Sequence, residues 1–241
     1  MWITSLLLVA IARTSYAESK QDVIAHHPPT LRIDLSVDDA RRAMNRSPDE
    51  LAEFTRYAGL GDLESQWALA WHHYAAAQAV RKGTMQFRDD AAFHFNAAMR
   101  WWSLAYLQND DMTAAHHVAV MVLYGLGTRA DTTTALAIFH QLAKRDHAPS
   151  LHALGEYYYF SLGDHKAAHE YWTRAAAAGH AESQFTCGVH LANAVGLPRN
   201  ADWRKAKQYL RMAADQGHTG AQEALDKLQG IEWNRNLLAL V

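Results

Sequence analysis

The chain has little that would let it act through sulfur or through charge. It contains one cysteine, Cys187, among 241 residues, so no internal disulfide is open to it. In an oxidising compartment such a fold holds by packing alone. Prolines number five and charged residues 20%, against 49% hydrophobic residues, which excludes a disordered chain and leaves enough apolar surface for a core. The formal net charge is −2, and the basic clusters are no longer than Arg41-Arg42 and Arg81-Lys82. A nucleic-acid binder would concentrate positive charge on one face, so that class is excluded. The most apolar run, Ile3 to Ala12, is about half of the ~20 residues that a membrane-spanning helix requires. Gly-x-Ser-x-Gly elbows, phosphate loops and dinucleotide fingerprints are missing, and no motif calls for a cofactor.

That short apolar run has another reading. In "MWITSLLLVAIARTSYA", residues 1–17, it leads into a polar stretch and the small-x-small pattern Ser15-Tyr16-Ala17, the order of an export signal. Arg13 follows the run instead of preceding it, and no cysteine stands at the cleavage point to take a lipid. The expected mature chain starts at Glu18 and is periplasmic or secreted. Residues 18–46 read as a leader, with Pro28-Pro29 and with Ser36-Val37-Asp38-Asp39 capping a short helix.

What the chain does have is repetition. "AAAAGHAESQ" at 175–184 returns as "AADQGHTGAQ" at 213–222, 38 residues later. Extended in both directions, units begin at Ser65, Ala114, Ser150, Ser183 and Ala221, spaced by 49, 36, 33 and 38 residues. Periods of this size build all-α solenoids of antiparallel helix pairs. The first helix of each unit carries an apolar-then-small pair: Leu69-Ala70, Val118-Ala119, Leu154-Gly155 and Cys187-Gly188. The small member allows close helix approach, and Cys187 occupies a packing slot, not a reactive one.

Turn chemistry separates the helices. Asp131, Asp164 and Asp202 follow Gly-containing loops as N-caps or first-turn acids of second helices, which carry Ala135, Ala168 and Ala206 and then Ile138, Tyr171 and Tyr209. Gly179 and Gly217 end two second helices, and Asp110 and Asp146 fill the same slot in the others, because both residue types tolerate a left-handed backbone. "SPDE" at 47–50 is a capping box that opens a preceding half-unit. The expected organisation is a repeat domain over 47–230, with about four full units and a half-unit at each end. The tail 231–241 would cap the exposed last repeat.

The stretches "LGEYYYFSLGDHKAAHEYWTRAAAAGHAES" and "GLPRNADWRKAKQYLRMAADQGHTGAQ" resemble Sel-one-like repeats, relatives of tetratricopeptide repeats. Leu154, Gly155, Tyr158, Asp164, Ala168, Tyr171, Ala175, Ala176 and Gly179 match the pattern. Gly188, Gly196, Lys205, Ala206, Tyr209, Ala213, Ala214 and Gly217 match it again. Leu191 replaces the aromatic in the fourth unit, and the first unit has an insertion near Val80–His94. The resemblance implies a right-handed superhelix that serves as an adaptor or scaffold for other proteins, without catalysis, often exported in bacteria.

Fifteen histidines invite a chemical reading. His147, His180 and His218 occupy one repeat position and read as architecture. His165 and His169 share a helical face, yet a zinc site takes three or four protein ligands and none joins them in sequence. The adjacent pairs His72-His73 and His116-His117 point to different faces. No catalytic residue and no metal ligand is assigned.

A stripe is more informative. The third, seventh and tenth residues of each first helix share one face by 3.6-residue spacing: Trp67-Trp71-Tyr74, His116-Val120-Leu123, His152-Glu156-Tyr159 and Phe185-Val189-Ala192. Such a stripe is either helix–helix core or the lining of a concave groove. On the groove reading, Trp67, Trp71, Tyr74, His116, His152, Glu156, Tyr159 and Phe185 contact a protein or peptide partner. The expected function is therefore an exported, non-enzymatic interaction scaffold. The rival class is an envelope metal- or glycan-binding protein, or an enzyme, that uses the histidines and tryptophans.

Overall fold

The structure, a computed structural model, describes residues 46–82, 91–193 and 202–238, with side chains for all but residue 193 and residues 229–238. The export signal, all of the leader but Arg46, most of the 80–90 insertion and most of the "AVGLPRNAD" loop lie outside those residues. Among the described residues the chain is all-α. It forms ten helices packed in consecutive pairs and no strand, in two compact units that meet in sequence at Gln141 and Leu142.

The first unit holds α1 (Pro48–Gly59), α2 (Leu63–Arg81), α3 (Ala91–Asn109), α4 (Met112–Tyr124) and most of α5 (Thr132–Ala143). The capping box forms as the sequence requires. Glu50 N–H donates to Ser47 Oγ at 3.2 Å, and Ser47 N–H donates back to Glu50 Oε2 at 2.7 Å. Asp62 caps α2 through Ser65 N–H at 2.8 Å, and Asp131 caps α5 through Thr134 N–H at 3.0 Å. Both α2 and α3 run 19 residues where α4 runs 13, so part of the extra length of the first repeat is spent on added helical turns. Trp102 of α3 is fully buried at the centre, with Leu69, Ala70, Met99 and Phe95 also in the core.

The second unit holds the end of α5, α6 (Ala148–Glu156), a π turn at Tyr157–Ser161, α7 (His165–Ala177), α8 (Ala181–Asn193), α9 (Trp203–Asp215) and α10 (Thr219–Leu238). Asp164 and Asp202 cap α7 and α9 by accepting from Ala167 N–H and Lys205 N–H, each at 3.0 Å. The backbone of residues 231–238 continues α10 without a break. Asp110 and Asp146 have φ of +53° and +54°, the only non-glycine residues with positive φ among those described. They stand in the slot that Gly179 and Gly217 fill at +88° and +82°, as the repeat alignment requires.

The apolar-small pairs are where the helices of a repeat meet. A Cβ on Gly155 would come within 2.4 Å of the Trp172 indole, and one on Gly188 within 2.6 Å of Leu210 Cγ. Cys187 is fully buried, and burial pushes its thiol up to about 11, so it packs as a small apolar residue and is a poor nucleophile.

Candidate functional site

The stripe is partly core. Tyr74 and Glu156 are each only 7% exposed, and Val120 and Leu123 are buried with them. Tyr74 packs edge-on against Trp71 and Phe95 and leans on Trp102, and its hydroxyl accepts from Gln78 Nε2 at 3.0 Å. Tyr74 and Glu156 are therefore withdrawn from the surface proposed for a partner, because at these positions α2 and α6 turn into the helix pair. Trp67, Trp71, His116, His152, Tyr159 and Phe185 are half-buried and keep part of their surface in solvent.

The third residue of a first helix has a specific task. In three of the four, Trp67, His152 and Phe185, it reaches the cap of the next first helix. Trp67 Nε1 donates to Asp111 Oδ2 at 2.7 Å, while Asp111 Oδ1 accepts from Thr113 N–H and Ala114 N–H at the start of α4. In the second unit His152 Nδ1 lies 2.8 Å from Ser183 Oγ at the start of α8. Phe185 stacks on His218, which precedes α10, at 4.3 Å and 22°. The position thus clasps successive repeats, by a different chemistry each time. Periodicity alone missed Asp111 and Ser183 as partners; aligning the cap slots (Asp62, Asp111, His147, His180, His218) is the signal that exposes them.

In the first unit the clasp sits on an aromatic cluster. Trp67 and Trp71 lie 6.0 Å apart, and the buried Trp102 meets them edge-on at 6.1 and 5.1 Å. His117, the buried member of its pair, leans on Trp102 at 4.7 Å. His116 faces Phe139 of α5 at 5.4 Å. The face is stiff, because every exposed ring edge is backed by another ring.

In the second unit the π turn presents Tyr159. Its ring contacts His165 at 4.5 Å, Trp172 at 5.4 Å and His190 at 5.1 Å. The α-helical spacing assumed for the stripe did not foresee this wider turn, which changes the angle at which residues 157–161 leave the helix. Burial above all, with His169 and His165 as like-charged neighbours, lowers His190 to about 4. His169 is lowered by burial and by Lys205, against an opposing effect of Glu170. These imidazoles are neutral at pH 7 and pack as flat, weakly polar rings. Among the described residues no group of three or more His, Cys, Asp or Glu is arranged to hold a metal ion.

The repeating histidines stand at the starts of first helices, where the His180 side chain accepts from Ser183 N–H and the His147 side chain makes no cap bond. His147 Nδ1 lies 2.9 Å from Ser150 Oγ, and His180 Nδ1 lies 2.9 Å from Ser183 Oγ. They stand where Asp62 and Asp111 stand in the first unit.

No family model matches the sequence. Among solved structures, the chain is similar to a Sel1 repeat protein from Oxalobacter formigenes, with 19% identity and a TM-score of 0.50 over 78% of this chain and 91% of that one. It is also similar to c5321, a protective antigen of uropathogenic Escherichia coli strains displaying an SLR fold. There the identity is 18% and the TM-score 0.47, over 78% of this chain and 47% of that one, so the chain spans about half of that protein's length. No helix of the described residues is long and apolar enough to cross a membrane. The arrangement of paired helices, small-residue contacts and left-handed helix ends is the fold of Sel1 repeat proteins.

Proposed function

We propose that this protein is an exported, non-enzymatic scaffold that binds a protein or peptide through the half-buried aromatic and histidine faces of its first helices. The observation that carries the reading is the Trp67–Trp71 pair. Two large rings lie partly in solvent, braced from below by Trp102 and fixed at one end by Asp111. Rigid amphipathic rings lose little entropy on binding and are the usual anchors of protein interfaces. The Tyr159 surface is the second candidate anchor. Residues 1–17 support export, and the intact mass of the secreted chain should correspond to a start at Glu18.

Affinity capture from a native envelope extract with the chain from Glu18 onward tests the binding reading. A stoichiometric protein partner is expected, lost in the Trp71→Ala variant or the Tyr159→Ala variant while helical content and melting cooperativity remain. A partner retained equally by both variants would move the interface off these faces.

A further inference from the structure

Ser183 is the midpoint of a hydrogen-bonded chain in the second unit. Its hydroxyl lies 2.9 Å from His180 Nδ1 and 2.8 Å from His152 Nδ1, and the two imidazoles stand 4.9 Å apart. Ser183 is fully buried. One turn along α6 from His152, the buried Glu156 places Oε1 3.6 Å from His152 Nε2. Its other oxygen has no hydrogen-bond partner among the described residues.

A single backbone group fixes where the protons are. The Ser183 N–H donates to His180 Nδ1 at 3.3 Å. A ring nitrogen that accepts must hold a lone pair, so His180 Nδ1 carries no proton and its proton is on Nε2. The Ser183 hydroxyl must then donate to the same nitrogen, which uses its only hydrogen. His152 Nδ1 faces an oxygen with nothing left to give, so it is the donor. The chain runs one way: His152 Nδ1–H to Ser183 Oγ, and Ser183 Oγ–H to His180 Nδ1.

We propose that this chain is a proton-operated latch at the start of α8, in which neutral His180 caps the helix and, through Ser183, fixes the tautomer of His152, and acid breaks the cap. A proton added at His180 Nδ1 meets the Ser183 N–H, a donor that the backbone holds aimed at it, whereas the Ser183 hydroxyl can rotate to accept. It also places a cation at the positive end of the α8 dipole. The latch regulates the face described above, of which His152 is a member, and rests on that reading only for the consequence on binding.

The surroundings hold it closed at neutral pH. Burial above all, then the like-charged neighbours His152 and His147 against an opposing pull from Glu156, lower His180 to about 4. Beside His147, Asp146 is neutralised by Arg174 of α7 at 2.7 Å. Glu182, next to Ser183, is engaged by His218 Nε2 at 2.9 Å. In the first unit the corresponding caps are Asp62 and Asp111, carboxylates with no ring nitrogen to protonate in this range, so the latch is specific to the second unit.

Long-range proton–nitrogen correlation spectra of the full chain, labelled at histidine, test the tautomers directly. At pH 7, His180 should carry its proton on Nε2 and His152 on Nδ1; a proton found on His180 Nδ1 overturns the proposal. Amide exchange then tests the latch. The protection factor of the Ser183 N–H should fall about tenfold or more between pH 7 and pH 4 in the native chain. The fall should be markedly shallower in His180→Asn, whose side-chain oxygen caps without titrating while His190 of the same unit still does. Equal pH dependence in both chains also overturns it. If His180→Asn does not fold, the tautomer measurement on the unaltered chain decides alone. Neither readout involves a partner, so the latch and the binding reading fail separately.

Discussion

Trp67 on α2 and Asp111, 44 residues later, share one carboxylate's work: Asp111 Oδ2 accepts from the indole N–H at 2.7 Å while Oδ1 caps α4. Helix starts leave backbone donors unsatisfied, and the cap meets that need and ties the helix to its predecessor with the same group. Asp111→Ala should therefore cost about 2–4 kcal/mol, the sum of a lost cap and a lost hydrogen bond to a charged acceptor. Trp67→Phe, which loses only the hydrogen bond and some ring area, should cost about 1–2 kcal/mol. Denaturant unfolding of both single variants and the double variant checks this. The double variant should cost less than the sum, since the two substitutions break the same bond.

Gly155 and Gly188 make the helix pairs of the second unit possible. At Gly155 a methyl group would meet the Trp172 indole at 2.4 Å, and Trp172 is itself buried with nowhere to swing. At Gly188 the obstruction is the flexible end of Leu210 at 2.6 Å, with the Ala206 carbonyl at 3.1 Å. Gly155→Ala should lower stability by about 1–3 kcal/mol, despite alanine's better helix propensity. Gly188→Ala should lower it less, because a leucine can change rotamer. Equal melting temperatures for Gly155→Ala and the native chain would show that the helix pair opens without cost.

Gln184 differs from Gln222 although both occupy the second position of a first helix. Gln184 is buried, donates to the Ala176 carbonyl at 3.1 Å and accepts from Gln216 Nε2 at 2.7 Å. Gln66 in the first unit likewise donates to a carbonyl, that of Ala58, but it also donates to Gln108 Oε1 and accepts from Asn109 Nδ2. Gln222 is exposed and, among the described residues, bonds only along its own helix, to Asp226 at 3.0 Å. Gln184→Ala should cost about 1–3 kcal/mol, through polar groups left unpaired in the core. Gln222→Ala should stay within about 0.5 kcal/mol. Thermal melts of the two variants side by side distinguish a structural glutamine from its solvated counterpart.

Much of this architecture was legible in the sequence because it is local. Asp131, Asp164 and Asp202 cap helices within three residues of themselves, and Asp110 and Asp146 take the left-handed backbone their slot demands. Leu154 and Cys187, read as core from the repeat pattern, are fully buried. The stripe was less legible. Whether the tenth residue of a first helix is core or surface depends on the second helix opposite it, and Trp102, which helps bury Tyr74, has no counterpart in the pattern. The clasps were hidden for a related reason. Trp67, His152 and Phe185 hold the same position but use an indole, an imidazole and a phenyl ring, so residue identity concealed a shared geometry. The π turn at Tyr157–Ser161 leaves no sign in a pattern built on 3.6 residues per turn.

Acid should destabilise both units through buried neutral histidines. In the first unit, His73 is lowered to about 4, by burial first and then by like-charge repulsion from His72 and His94. Its Nδ1 lies 3.0 Å from His94 Nδ1, so one shared proton suits the pair and a second one forces two N–H groups together. In the second unit His180 and His190 are also lowered to about 4. For each group the unfolded chain binds a proton near pH 6.5 while the folded chain does not. Stability from these groups is thus fully present above about pH 6.5, falls as the pH drops, and levels off below about 4. For His73 the loss is at most about 3 kcal/mol. Urea midpoints measured at pH 7, 5.5 and 4 should fall steeply in the native chain. In His73→Asn, which keeps a polar contact to His94 but does not titrate, the fall should be shallower. A midpoint unchanged between pH 7 and pH 4 would mean that these imidazoles gain charge in the folded state, and that the packing around them is looser than their burial requires.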